Sequence, residues 1–194
     1  ESDRLKRPES TDDWGQIAGF TLDQGGAYVL DRPSRGVWIY PRSEFNVEPT
    51  FFFNEEIPDV QNVVDLTVNR EDLYLLQSDG SITLCFYSNF AGVPTRCTQP
   101  PYQDRRPGRE NIPLVPPGPF TQIQNTLPPD PSLFLLEPQS QAISHFRLRS
   151  LAFPRQYMPA QPLSPGSATA CFVENLTRRM FLAGAGQVYY AVMP

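Results

Sequence analysis

The sequence predicts an all-β fold built from four repeated units, because one short apolar strand recurs four times and no convincing amphipathic helix is found. The four copies are Ala27–Asp31, Leu73–Gln77, Leu133–Glu137 and Arg179–Ala183. Their aromatic residues Tyr28, Tyr74, Phe134 and Phe181 are separated by 46, 60 and 47 residues. Repeats of about 40–50 residues with several strands each are typical of β-propeller blades.

We place the blades at residues 14–54, 62–98, 121–158 and 168–193. The first three have enough sequence for four strands each, whereas the fourth ends after its third strand. Such a unit leaves a bare sheet edge, which folded proteins avoid. We therefore expect the four blades to be the C-terminal part of a ring of about six to eight. The missing blades would come from the rest of the protein or from a partner chain.

Local patterns support individual strands. The stretch Val63–Val68 alternates and is rich in β-branched residues, as strands are. Asp79 and Gly80 form a tight hairpin signal, because both residues tolerate positive φ. We predict the fourth strand of blade 1 at Phe51–Phe53, which should be blade core rather than an exposed patch. The fourth strand of blade 3 is predicted at Leu151–Phe153 together with Gln156–Tyr157.

Two segments fall outside the repeats. Residues 1–13 are polar and charged, and we interpret them as a linker or loosely attached arm. Residues 99–120 are rich in proline and form a longer connection than usual, so we expect an extended surface excursion. A stiff loop loses little entropy on docking, which favours a contact role; an inert excursion is the alternative. The candidate contact residues are Tyr102, Arg105, Arg106, Arg109 and Phe120.

Three cysteines bear on the redox setting. Cys85 and Cys97 flank residues 88–94, which have the composition of a hairpin loop. Residues equidistant from a hairpin centre face each other, so this pair could form a disulfide; two buried thiols are the alternative. A disulfide would place the protein in an oxidising compartment. Cys171 lies in an apolar strand and is interpreted as a core thiol.

Composition excludes some classes of partner. The net charge is −5 with an isoelectric point near 4.9, which argues against nucleic-acid binding. No run approaches the ~18 apolar residues that span a bilayer. The chain begins at Glu1, so an anchor or targeting segment upstream would not be visible. Zinc is not expected, since His145 is the only histidine and no CxxC pair is present.

The order of apolar strand, turn and aromatic-aliphatic strand resembles β-propellers of the NHL and YVTN types. Tyr28–Asp31 and Leu73–Leu76 carry this resemblance, which extends from about Gln16 to Met193. Arg32 and Arg35 fit the NHL turn loosely, and the other repeats depart from it. The C-terminal part also resembles propeller regions of uncharacterised Chloroflexi-type bacterial proteins. This resemblance implies an extracytoplasmic or membrane-associated protein.

The sequence suggests two functions. A lactonase-like propeller would hold a central calcium ion with scattered carboxylates and amides; the candidates are Asp65, Asn69, Asp79, Asn125, Glu137 and Asn175. Asp and Asn are also expected in turns and at strand ends, which is the alternative interpretation. His145 has no identifiable partner as a general base. We therefore predict a non-catalytic scaffold or interaction domain without cofactor or metal, the alternative being a metal-dependent hydrolase.

Overall fold

The computed structural model consists of strands, turns and irregular segments, with no helix in the residues that it describes. These are residues 5–42, 44–54, 56–88, 90, 93, 95–104, 108–109, 119–128, 130–153, 155–161, 163, 168–184 and 186–193. They form four antiparallel sheets in which neighbouring strands follow one another in sequence, apart from one short insertion. The predicted all-β fold with four propeller blades is confirmed.

Blades 1 and 2 each have four strands. Blade 1 comprises β1 (Ile17–Asp23), β2 (Gly26–Asp31), β3 (Gly36–Pro41) and β4 (Thr50–Phe51). Blade 2 comprises β5 (Val63–Asn69), β6 (Asp72–Gln77), β7 (Ile82–Phe86) and β8 (Arg96–Thr98). The last strand of blade 1 is shorter than predicted, and Phe52 and Phe53, which follow it, are buried in the core.

Blades 3 and 4 follow a two-residue strand, β9 (Gln103–Asp104). Blade 3 comprises β10 (Gln122–Asn125), β11 (Ser132–Glu137), β12 (Ala142–Arg147) and β14 (Arg155–Tyr157). Blade 4 comprises β15 (Ala168–Glu174), β16 (Arg179–Gly184) and β17 (Gln187–Val192). Among the described residues blade 4 therefore has three strands, as predicted. That the blades belong to a larger ring stays a prediction.

One strand prediction is wrong. The segment β13 (Ala152–Phe153) does not join the fourth strand of blade 3 but pairs in parallel with β9, Ala152 opposite Gln103. Arg149 and Leu151 have φ values of 59° and 46°, which turn the chain just before β13. Only β14 therefore continues the sheet beside β12.

The chain divides into two compact units. Unit 1 comprises Glu1–Gln77 and Ile82–Gln99, which include blades 1 and 2. Unit 2 comprises Ser78–Ser81 and Pro100–Pro194, which include blades 3 and 4. The second strands β2, β6 and β11 are buried at every position, so both faces of these strands are covered. In β16 buried and more exposed residues alternate, so one face of blade 4 is open.

The described part of the N-terminal segment lies against blade 1. The backbone N–H of Lys6 donates to the Phe45 carbonyl at 2.8 Å, and the Tyr40 hydroxyl donates to the Lys6 carbonyl at 2.6 Å. The ring of Trp14 meets the ring of Trp38 edge-on, with centroids 6.4 Å apart. These contacts attach residues 5–14 to the first blade.

Candidate interaction surface

The repeat defines two faces on every blade. We call the face that carries Tyr28, Tyr74, Phe134 or Phe181 the trailing face, and the opposite face the leading face. Residues directly opposite each other in an antiparallel sheet share a face, so the strand register assigns every other residue. For example, Phe20 lies opposite Val29 and belongs to the leading face of blade 1.

Within each unit a trailing face packs on a leading face. In unit 1, Tyr28 and Leu30 of blade 1 share one buried cluster with Leu66 and Leu75 of blade 2. In unit 2, Phe134 and Leu136 of blade 3 share a buried cluster with Cys171, Met180 and Leu182 of blade 4. The chain thus makes the same kind of blade contact twice, once in each unit.

The trailing face of blade 4 is exposed. Phe172, Phe181 and Tyr190 lie opposite one another on the three strands, with ring centroids 6.2 and 6.4 Å apart. Tyr190 is 72% exposed, and Val188 on the same face is 69% exposed. The residues at the position of Val188 in blades 1, 2 and 3 are Val37, Ile82 and Ile143, which are 0%, 1% and 4% exposed. The same position is therefore core in three blades and surface in the fourth.

The leading face of blade 1 is exposed along its first strand. Phe20 and Leu22 are 68% and 66% exposed. The residues at the position of Phe20 in blades 2, 3 and 4 are Leu66, Ile123 and Cys171, which are 2%, 3% and 5% exposed. The outer part of this face is covered, since Trp38 is buried beneath Trp14. Unit 1 therefore also carries an apolar terminal face.

The aromatic residues of the predicted contact loop lie in the core of unit 2. The ring of Tyr102 is 6.1 Å from that of Phe120 and 4.9 Å from that of Phe146, and Phe120 is buried. The Tyr102 hydroxyl donates to the Gly80 carbonyl at 2.6 Å. Burial raises the pKa of Tyr102. Tyr102 and Phe120 therefore pack within unit 2, and a contact role for them stays a prediction.

Of the candidate contact residues Arg105, Arg106 and Arg109, the structure describes Arg109. The Arg109 Nε lies 3.0 Å from Oδ2 of Asp104, whose side chain is buried. This ion pair ties the exposed Arg109 to β9. Arg105 and Arg106 lie outside the described residues, so a contact role for them stays a prediction.

The candidate metal ligands have local structural roles where their partners are known. Asp79 accepts hydrogen bonds from the Ser81 hydroxyl and backbone N–H, which lower the pKa of Asp79. Glu137 accepts a hydrogen bond from the Ser140 hydroxyl at 2.7 Å. Asn69 and Asn125 are the last residues of their strands. The Asp65 carboxylate accepts a hydrogen bond from the Leu66 N–H, and the Asn175 side chain donates to two loop carbonyls. Within the described residues, no group of three His, Cys, Asp or Glu side chains could hold a metal ion.

The imidazole ring of His145 is part of an aromatic stack in blade 3. It lies parallel to Phe134 with centroids 4.6 Å apart, and its other neighbour in the stack is Tyr157 at 6.5 Å. Burial lowers the pKa of His145, so its neutral form is favoured. Its Nδ1 is buried and has no hydrogen-bond partner among the described residues. The ring therefore serves packing.

The two cysteines that flank the hairpin loop are opposite each other on β7 and β8. The Cα atoms of Cys85 and Cys97 are 4.1 Å apart, and their sulfur atoms form a disulfide. Cys171 is a buried thiol on the leading face of blade 4.

The fold and the exposed terminal faces define a β-propeller domain, and solved structures agree with that fold. No protein-family model and no curated protein matches the sequence. The computationally designed Ika4 protein is similar over the full length of both chains, with a TM-score of 0.56 and 9% identity.

Two further structures are similar to this chain. The computationally designed Ika8 protein has a TM-score of 0.52 and 9% identity over 91% of this chain. A protein from Lactobacillus plantarum has a TM-score of 0.51 and 13% identity over 87% of this chain. The chain spans 46% of the length of Ika8 and 64% of that of the L. plantarum protein. At such identities the similarity shows the fold alone.

Sequence reasoning did not single out the exposed residues Phe20, Leu22, Val188 and Tyr190. The repeat contains a signal that could have found them, because each aligns with residues that are core in other blades.

Proposed function

We propose that the chain is a non-catalytic β-propeller interaction domain whose terminal blade faces bind another protein surface. The observation that carries this proposal is the contrast in exposure between Val188 and its buried equivalents in the other blades. A contiguous exposed apolar patch on a folded protein marks an interaction site. Burying one large apolar side chain contributes about 1.5–3 kcal/mol.

The chemistry of the two faces favours a flat, apolar partner surface. The large apolar side chains exposed on the blade 4 face are Phe172, Val188, Tyr190 and Val192, and the exposed Arg179 on this face lies opposite Glu174. Tyrosine is enriched in protein interfaces because its ring adds area while its hydroxyl tolerates water. Among the described residues, no helix is long and apolar enough to cross a membrane.

An extracytoplasmic setting and an NHL- or YVTN-like ancestry are parts of the same proposal. The Cys85–Cys97 disulfide supports the first, since disulfides persist in oxidising compartments. The strand pattern at Tyr28–Asp31 supports the second. Mass spectrometry of protein taken from its own cells without reduction should find the bridge. Two thiols that can be alkylated in the native protein would argue against this location.

Photo-cross-linking in the cells that produce the protein tests the interaction role. A photo-reactive phenylalanine at position 190 should form an adduct with another chain, and Val188→Asp in the same molecule should abolish it. The matched control places the reactive residue at Leu176, which is highly exposed but lies on the turn after β15. Equal labelling at both positions, or no adduct at position 190, would refute the proposal.

A further inference from the structure

We propose that the partner of the blade 4 trailing face is the leading face of blade 1 in a second copy of this chain. This inference rests on the proposed function, because it requires the terminal faces to bind protein, and it names the partner. The contact would be head-to-tail, since the two copies contribute different faces.

The first support is that the chain already makes this contact twice. Tyr28 and Leu30 pack with Leu66 in unit 1, and Phe134 and Leu136 pack with Cys171 in unit 2. Each is a trailing face on a leading face. Among the described residues, the trailing face of blade 4 and the leading face of blade 1 are exposed. Each copy therefore carries the two kinds of surface that form a blade contact.

The second support is the kind of residue at the equivalent positions. Phe172 of blade 4 lies where Gln124 lies in blade 3, and Leu22 of blade 1 lies where Val173 lies in blade 4. In unit 2 the Gln124 side chain reaches the backbone of Val173, next to the leading-face cluster. Between two copies, the same positions bring Phe172 towards Leu22. Two large apolar side chains that meet in this way remove their area from water.

The third support is electrostatic. The chain has a net charge of −5, which opposes self-association in general. The exposed side chains Phe20, Leu22, Val188 and Tyr190 carry none of that charge. On the trailing face the only charged residues in the paired strands, Glu174 and Arg179, lie opposite each other and have opposite signs. The charges in the paired strands of the trailing face are therefore balanced.

A head-to-tail contact closes when two copies satisfy each other, and extends into larger species when it does not. Two copies that make both contacts leave neither terminal face exposed.

Light scattering on the purified 194-residue chain, coupled to gel filtration, tests this proposal. At about 100 μM chain, a contact with a Kd of roughly 1–10 μM is saturated. We expect twice the 21.9 kDa mass of one chain. Phe20→Asp removes the leading face and Tyr190→Asp removes the trailing face, so each variant alone should run as one chain.

Mixing the two variants is the decisive arm. The trailing face of the Phe20→Asp copy and the leading face of the Tyr190→Asp copy are both intact, so the mixture should regain the mass of a pair. Leu176→Asp, on the exposed turn, should behave as the unaltered chain. Circular dichroism melts at chain concentrations below the Kd should be alike for all variants, because the substituted side chains are exposed and pairing then adds no stability. Larger species of the unaltered chain would also support the contact.

Three results would overturn the inference. One is an unaltered chain that stays monomeric. The second is a Phe20→Asp variant that still pairs, because the dimer would then join two trailing faces. The third is a mixture of the two variants that stays monomeric although each is folded. If the chain is monomeric but position 190 still cross-links a different protein in cells, the interaction role stands and the second copy is excluded.

Discussion

The two units stabilise the same blade contact with different chemistry. In unit 1 the first strands of blades 1 and 2 approach through an apolar contact, where Gly19 faces Leu66 so closely that an added Cβ would lie 2.9 Å from Leu66 Cδ2. In unit 2 the side chains of Gln122 and Gln124 span the gap to β15 and bond to its backbone. Close apolar packing joins the first strands of the blades in unit 1, and amide hydrogen bonds join the corresponding strands in unit 2.

The glutamine bonds follow from strand geometry. Cys171 and Val173 are two residues apart, so their N–H and C=O groups point to the same edge of β15. The Gln122 side chain donates to the Cys171 carbonyl at 2.9 Å and accepts from the Cys171 N–H at 2.7 Å. Gln124 makes the same pair of bonds to Val173, both at 2.9 Å. An edge that would otherwise need another strand is thereby satisfied.

This difference teaches that trailing-on-leading packing does not depend on one set of residues. Unit 1 relies on an aromatic cluster of Phe52, Phe53 and Tyr87, together with a disulfide. Unit 2 adds to its apolar cluster two glutamine side chains that complete backbone hydrogen bonds. The two units should therefore respond to different substitutions, which hydrogen exchange followed by mass spectrometry can resolve unit by unit.

The largest effect should come from Phe52→Ala in unit 1. Phe52 is fully buried, and its ring lies 5.2 Å from Phe53 and 5.4 Å from Tyr87. Such truncation lowers the free energy of unfolding by about 3–5 kcal/mol. Thermal and denaturant melts measure this loss. Phe90→Ala is the control, since Phe90 is exposed and should change stability by less than about 0.5 kcal/mol. A small effect of Phe52→Ala would show that the cluster does not hold unit 1 together.

Removal of the disulfide should have the next largest effect. The bridge closes a loop with a sequence separation of 12. Replacing both Cys85 and Cys97 by Ser should cost about 3 kcal/mol. Hydrogen exchange should rise first in blade 2, and a reductant should not destabilise the double variant further. Equal melting temperatures of the intact chain with and without reductant would contradict this prediction.

Loss of one glutamine should cost less and should act in unit 2. Gln124→Ala leaves the N–H and C=O of Val173 without these bonds, at a cost of about 1–3 kcal/mol. Gln124→Glu is a sharper probe, because a carboxylate still accepts from the N–H but repels the carbonyl. We expect faster exchange of the β15 amides in both variants, with unit 1 unchanged. Uniform exchange across both units would count against a local role.

The smallest effect should be a change in pH dependence in unit 2. Burial lowers the pKa of His145 below its ordinary value of 6.5, so on acidification the unfolded chain binds a proton before the folded chain does. Stability contributed by the neutral ring is therefore present above about pH 6.5 and is lost as the pH falls below it. In His145→Phe, melts between about pH 7 and 5 should lose stability less steeply. An unchanged slope would show that His145 does not titrate differently in the two states.

The sequence by itself determined the blades. The strands that contain Tyr28, Tyr74 and Phe134 have apolar side chains on both faces. Such a pattern indicates a sheet whose two faces are both covered. Successive side chains of a strand point to opposite faces of the sheet, so the strands can be predicted from the local pattern of apolar residues. The turn at Asp79–Gly80 can be predicted because both residues tolerate positive φ. The three strands of blade 4 followed from the same pattern.

Only the tertiary structure decided which equivalent residues are core and which are surface. Phe20 and Leu66 have the same position in their blades, but one is exposed and the other buried, because burial depends on the surface that lies opposite. The glutamine bonds to β15 and the parallel pairing of β13 with β9 are likewise contacts between segments far apart in sequence. Local periodicity holds no information about such partners, since the same strand pattern serves a blade with a neighbour and a blade without one.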